Sequence, residues 1–128
     1  MKQILALTLV TFVAGCDAAY AYGLSYDDQT RTASVVKTDG NLTDARGMTL
    51  YTFDEDSAGV SNCYDSCAEN WPPYLAGREK IVGLTRIDRR DGTQQWAKDG
   101  APLYYWIGDT RPGDTTGDGV RGVWHVAQ

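Results

Sequence analysis

Gly47-Met48-Thr49-Leu50-Tyr51-Thr52-Phe53-Asp54-Glu55-Asp56 is answered further along by Gly100-Ala101-Pro102-Leu103-Tyr104-Tyr105-Trp106-Ile107-Gly108-Asp109, at a constant offset of 53 residues. The same shift carries Gly47 onto Gly100, Leu50 onto Leu103, Tyr51 onto Tyr104, Phe53 onto Trp106, Asp56 onto Asp109 and Trp71 onto Trp124. One spacing that serves all these positions is an internal repeat. Within the first copy the alternation is that of a strand, with Leu50 and Thr52 on one face and Tyr51 and Phe53 on the other. The expected fold is therefore mainly β: two sequence-related antiparallel β units sharing one core, over about residues 33–76 and 81–128, with one short helix.

The remaining strands follow from β-branched runs and turn signals. Residues 32–38 end at Asp39-Gly40, a strong turn; 49–53, 81–87, 94–97, 103–106 and 123–126 complete the set, with Asp91-Gly92 as a second turn. Ser61 or Asn62 is placed to cap a helix running to about Asn70, where Trp71-Pro72-Pro73 stops it. The stretch 108–119 is too rich in Gly and Asp to be anything but an ordered loop.

A chain of 128 residues with 42% hydrophobic and 23% charged residues is one ordinary globular domain. Its 14 Gly, 8 Tyr and 4 Trp favour turns and half-buried pleated surface. With 17 acidic against 12 basic residues, the formal charge of -5 argues against a nucleic-acid partner, which calls for a basic footprint.

Met1-Lys2-Gln3 supplies a positive charge, and the uncharged, mostly apolar run 4–14 follows it, the pattern of an export signal. That run is too short to cross a bilayer, which takes roughly 20 apolar residues. Two processing sites compete within residues 1–21. Val13-Ala14-Gly15-Cys16 looks like a lipobox, where Cys16 would be lipidated and hold the domain at a membrane by a tether reaching about residue 32. Ala19-Tyr20-Ala21 would instead release a soluble chain beginning at Tyr22.

Either cut leaves Cys63 and Cys67, which in an oxidising compartment are expected to pair. Their spacing of four residues suits a disulfide on the helix. Closing so short a loop stabilises by about 2 kcal/mol in the chain-entropy account. The alternative is a copper or thiol redox site using Cys63, Cys67 and His125. Soft ligands are few, since His125 is the only histidine and Met48 the only methionine outside the export segment.

Tyr51-x-Phe53-x-x-Asp56 and Tyr104-x-Trp106-x-x-Asp109, with Cys63-x-x-x-Cys67 before Trp71-Pro72 and Gly113-Asp114-x-x-Gly117-Asp118-Gly119 before Trp124-His125, resemble a bacterial family. It is the secreted-repeat family of predicted lipoproteins, with its Tyr-x-(Phe/Trp/Tyr)-x-x-Asp motif. The resemblance covers the chain from about Ser34. It implies an exported, repeat-built protein without a catalytic set to carry over. Trp96 departs from the pattern by standing in the strand before the second motif.

Each candidate site has a structural and a functional reading. Tyr51, Phe53, Tyr104 and Trp106 would either pack the two units together or present an aromatic platform to a ligand, while Asp56 and Asp109 would cap the turns after the strands. Asp109, Asp114 and Asp118 suit calcium by composition, though their spacing is not that of an EF-hand. No nucleophile stands with an identifiable base, and no Gly-rich phosphate cradle precedes a helix, so an enzyme is not expected, nor a cofactor. The expectation is a non-enzymatic binding or structural module of the cell envelope, contacting an envelope protein or a small ligand. Function should reside where the copies differ, at the Cys63-Cys67 segment and the loop from Asp109 to Asp118.

Overall fold

The computed structural model describes residues 32–128; the export segment, Cys16 and the tether up to residue 31 lie outside the described residues. β1 (Thr32–Ser34) and β2 (Val36–Thr38) occupy the first expected strand, interrupted at Val35. Asp39 and Gly40 both take positive φ, 52° and 84°, the mirror-image turn whose twist suits a hairpin. It returns the chain as β3 (Asn41–Thr43), antiparallel to β2. β4 (Tyr51–Phe53) carries the first motif.

In the second half, β5 (Lys80–Val82) and β6 (Thr85–Asp88) split the expected 81–87 strand at Gly83, whose φ of 91° breaks the pleat. β7 (Gln94–Lys98) pairs with β6 and with β8 (Ala101–Pro102), a second pair of positive-φ residues, Asp99 and Gly100, making the hairpin between β7 and β8. β9 (Trp124–Val126) ends the chain. The fold is mainly β, and its pairs are antiparallel apart from β1 with β5.

The two copies are interlocked rather than stacked. β4 of the first copy pairs with β9 of the second, Phe53 opposite Trp124 and Tyr51 opposite Val126. At the centre Tyr51 and Tyr104 exchange both backbone hydrogen bonds, at 2.8 and 3.0 Å. Around this point the bonds repeat at the offset of 53: Asp54 N to Val123 O matches Ile107 N to Asn70 O, and Ala127 N to Leu50 O matches Tyr74 N to Leu103 O. A pseudo-twofold axis therefore runs between the two motifs.

The expected strand over 103–106 is a correction. The equivalent of β9 for this copy is Trp71-Pro72-Pro73, and prolines have no N–H to return, so only one-way bonds form and Tyr104 makes isolated bridges. The helix is also shorter than expected. α1 spans Ser66–Asn70, entered through Asp65 at φ 54° with no side-chain cap. Ser61 and Asn62 do not cap it, because Ser61 is buried against Tyr104 and the Asn62 amide donates to Asp56.

Adjacent motif residues face two cores. Leu50 and Leu103 join Leu42, Ile81, Trp96 and Ala127 in an aliphatic cluster, while Tyr51 and Tyr104 join Cys63, Trp71 and Trp124 in an aromatic one. Trp96 is accommodated within the first cluster, with the Arg86 guanidinium 4.6 Å from its ring centre.

Candidate ligand-binding cleft

The aromatic cluster is a continuous stack. Phe53 lies on Trp124 at 4.2 Å between ring centres, Trp124 on Trp71 at 3.8 Å, and Trp71 on Trp106 at 4.2 Å. Tyr51 meets Trp71 edge-on at 5.3 Å, and Tyr104 meets Trp124 likewise at 5.2 Å. The pseudo-twofold axis passes between the two central indoles, and Phe53 and Trp106 each lie on the tryptophan of the other copy. Rings in such contact contribute about 0.5–1.5 kcal/mol per pair beyond burial.

The phenols are crossed in the same way. Tyr51 donates to Asp109 Oδ2 at 2.6 Å, and Tyr104 donates to Asp56 Oδ2 at 2.7 Å. The second oxygen of each carboxylate serves its own loop: Asp56 Oδ1 accepts the Asn62 amide, and Asp109 Oδ1 accepts the amide and hydroxyl of Thr116. The aspartates thus hold the turns, as expected, and also lock one copy to the other. Burial pushes the phenols of Tyr51 and Tyr104 far above their ordinary range, with the bonded carboxylates adding to the shift. Burial also raises the Asp56 carboxyl, against the opposing effect of the Asn62 amide and the Tyr104 hydroxyl.

The stack forms one wall of an open cleft of about 720 Å³. Phe53 and Trp106, Trp71 and Trp124, Asn70 and Val123, and Cys67 and Val120 are repeat-related pairs, so the cleft lies on the pseudo-twofold axis. Its polar rim breaks the symmetry. Glu55, Asn62 and Ser66 come from the first copy, and Arg121 from the second. Arg121 is exposed with φ 53° in a 3-10 turn, Val120–Gly122, a backbone region that costs a non-glycine residue about 1–3 kcal/mol.

Of the motif residues, Tyr51 and Tyr104 are fully buried, which makes them core, whereas Phe53 and Trp106 are half-buried at the cleft. Cys63 and Cys67 form the expected disulfide, with Cα atoms 5.3 Å apart. Only Cys67 is on α1; Cys63 precedes it and is buried, its carbonyl accepting Arg89 Nη2 at 2.9 Å. With the sulfurs bonded to each other, no thiolate is presented to copper. His125, half-buried on β9, bonds Asp54 through Nε2 at 2.7 Å and does not line the cleft.

The calcium set is not assembled. Asp114 accepts the amides of Thr110 and Arg111, Asp118 accepts the amide of Val126, and Asp109 turns inward to Tyr51. Among the described residues no three His, Cys, Asp or Glu side chains converge on a metal position. Asp114 is held below the usual carboxylate range by those two amides. Glu55, Asn62, Asn70 and Arg121 escaped the reading of the sequence as cleft residues; the signal available was that Glu55 and Arg121 fall where the other copy has Gly108 and Ala68.

A family model described as a secreted repeat of unknown function matches residues 33–74 and 85–128, and the chain belongs to that family. It is an exported protein built from two such repeats. No curated protein and no solved structure matches the chain.

Proposed function

We propose that the protein is a non-enzymatic binding module of the cell envelope that holds a small ligand in the cleft on the pseudo-twofold axis. The observation that carries this reading is the combination of half-buried Phe53 and Trp106 with polar lining that is acidic and amide-bearing from the first copy and guanidinium-bearing from the second. A concave site with apolar walls and a few orienting polar groups is what small-molecule recognition needs. The matching ligand is a zwitterionic or uncharged molecule with one apolar ring face. Symmetric packing alone accounts for Trp71 and Trp124 but gives no role to Arg121.

The test is NMR titration of the mature protein with a panel of ring-bearing zwitterions and sugars. Saturable shifts at Phe53, Trp106 and Arg121, weakened about tenfold or more in Arg121→Ala, support the reading. Scattered, non-saturable shifts across the panel defeat it. As part of the same proposal, Cys16 is lipidated and anchors the module at a membrane. Intact mass of native protein tests this, because a chain starting at Tyr22 excludes the anchor.

The thiol redox alternative has one observation in its favour: Cys67 borders the cleft. Thiol titration of native protein checks it, a fully oxidised pair counting against that reading.

A further inference from the structure

The Tyr–Asp pairs are more than packing requires. Phenylalanine would fill the same rings, whereas a phenol bonded to a sequestered carboxylate carries a desolvation cost that must be offset by the bond. That arrangement occurs in both copies, and each phenol touches an indole of one unbroken stack. Indole and phenol are among the side chains that lose one electron most readily. A phenol does so cleanly when its proton has an acceptor within hydrogen-bond reach, here 2.6 and 2.7 Å. Burial makes Asp56 a stronger base than an ordinary carboxylate.

We propose that the protein is a sink for one-electron oxidants, carrying the oxidising equivalent along Trp106, Trp71 and Trp124 to Tyr51 or Tyr104. The entrance is Trp106, half-buried at the open cleft; the other end of the stack is closed by Phe53, whose phenyl ring is far harder to oxidise. An outer-sphere oxidant, a metal complex or an oxygen-derived radical, takes one electron from Trp106 and leaves an indole radical cation. Trp71 refills it and is refilled by Trp124. Tyr104 then passes one electron to Trp124 as its hydroxyl proton moves to Asp56 Oδ2. The products are a reduced oxidant, neutral indoles, a neutral phenoxyl radical and a protonated Asp56. Tyr51, Trp71 and Asp109 provide the equivalent branch. A hydroquinone-class reductant restores the phenol by giving back one electron, the proton returning from the carboxyl.

This activity does not rest on the ligand-binding proposal and is tested separately. Tris(bipyridine)ruthenium(III) is generated by a laser flash beside the full mature protein, with optical and electron paramagnetic resonance detection. The expected result is a phenoxyl radical that falls at least about fivefold in the Tyr51→Phe, Tyr104→Phe double variant, with the indole radical cation persisting in its place. Trp71→Phe, which keeps a ring in the stack, should slow phenoxyl formation about tenfold or more. Asp56→Asn with Asp109→Asn, which keeps an acceptor oxygen but removes the base, should also slow it. Circular dichroism verifies that each variant is folded. An undiminished phenoxyl yield in the folded double tyrosine variant, or an indole radical alone in the wild type, overturns the proposal. So does unchanged kinetics in folded Trp71→Phe.

Discussion

Tyr51 and Tyr104 do at the scale of a single residue what the repeat does at the scale of the chain: each engages the other copy's aspartate while its ring rests edge-on against its own copy's tryptophan. Removing one hydroxyl leaves a sequestered carboxylate short of a partner. Tyr104→Phe should therefore cost about 1–3 kcal/mol in urea unfolding. Tyr51→Phe should cost a similar amount, because Asp109 keeps both bonds from Thr116 but the buried Gly117 amide loses its acceptor. Gly117 is a second sensitive point. A Cβ there would lie 2.8 Å from Trp71 Cη2 and 2.9 Å from Trp106 Cγ, and its amide donates to the Tyr51 hydroxyl. Gly117→Ala should destabilise by about 1–3 kcal/mol through overpacking and blue-shift or quench the tryptophan emission.

Among the elements, the segment before α1 depends on long-range anchors more than on helix formation. A five-residue helix has little stability of its own. What holds it is the disulfide together with buried Arg89, which donates to Ser61 Oγ, Gln95 Oε1 and the Cys63 carbonyl while facing Tyr64 at 4.3 Å. Replacing Cys63 and Cys67 by alanine should cost about 2 kcal/mol in unfolding, and reductant should have no further effect on that variant. The contrast between β4 and the stretch around Tyr104 has a single cause. Their partners are Trp124-His125-Val126 and Trp71-Pro72-Pro73, and only the first can return backbone hydrogen bonds.

Across the whole molecule, neither copy has its core without the other. The residues facing Phe53 and Trp106 in the stack, and the acceptors of both buried phenols, all come from the opposite repeat. Fragments 33–76 and 77–128 should each be unfolded by circular dichroism and regain structure only when mixed. Independent folding of either would contradict the interlocked architecture. The phenols also set a limit at high pH. Those of Tyr51, Tyr104 and Tyr105 are raised chiefly by burial, so the unfolded chain, titrating near ~10, releases their protons first. Their contribution is complete below about pH 10 and is lost as pH rises toward the folded values. Urea midpoints should fall across that window, with phenolate absorbance of these three appearing only on unfolding.

The duplication, the mainly-β fold, the first motif strand and the Cys63–Cys67 pair were legible in the sequence. Each is written in local spacing: a constant offset, period-two alternation, Asp-Gly turns and two cysteines left in an exported chain. The exchange of partners between copies was not, because an offset states that two segments are alike and is silent on which packs against which. That is decided by long-range backbone pairing, at Tyr51 with Tyr104 and β4 with β9. The same holds for the cleft. Phe53 and Trp106 carry the same motif position as the buried core would use, and only the packing of Trp71 on Trp124 leaves their outer parts at an opening whose rim is Glu55, Asn62 and Arg121. Side chains distant in sequence acquire a shared environment only when the interlocked chain has closed around them.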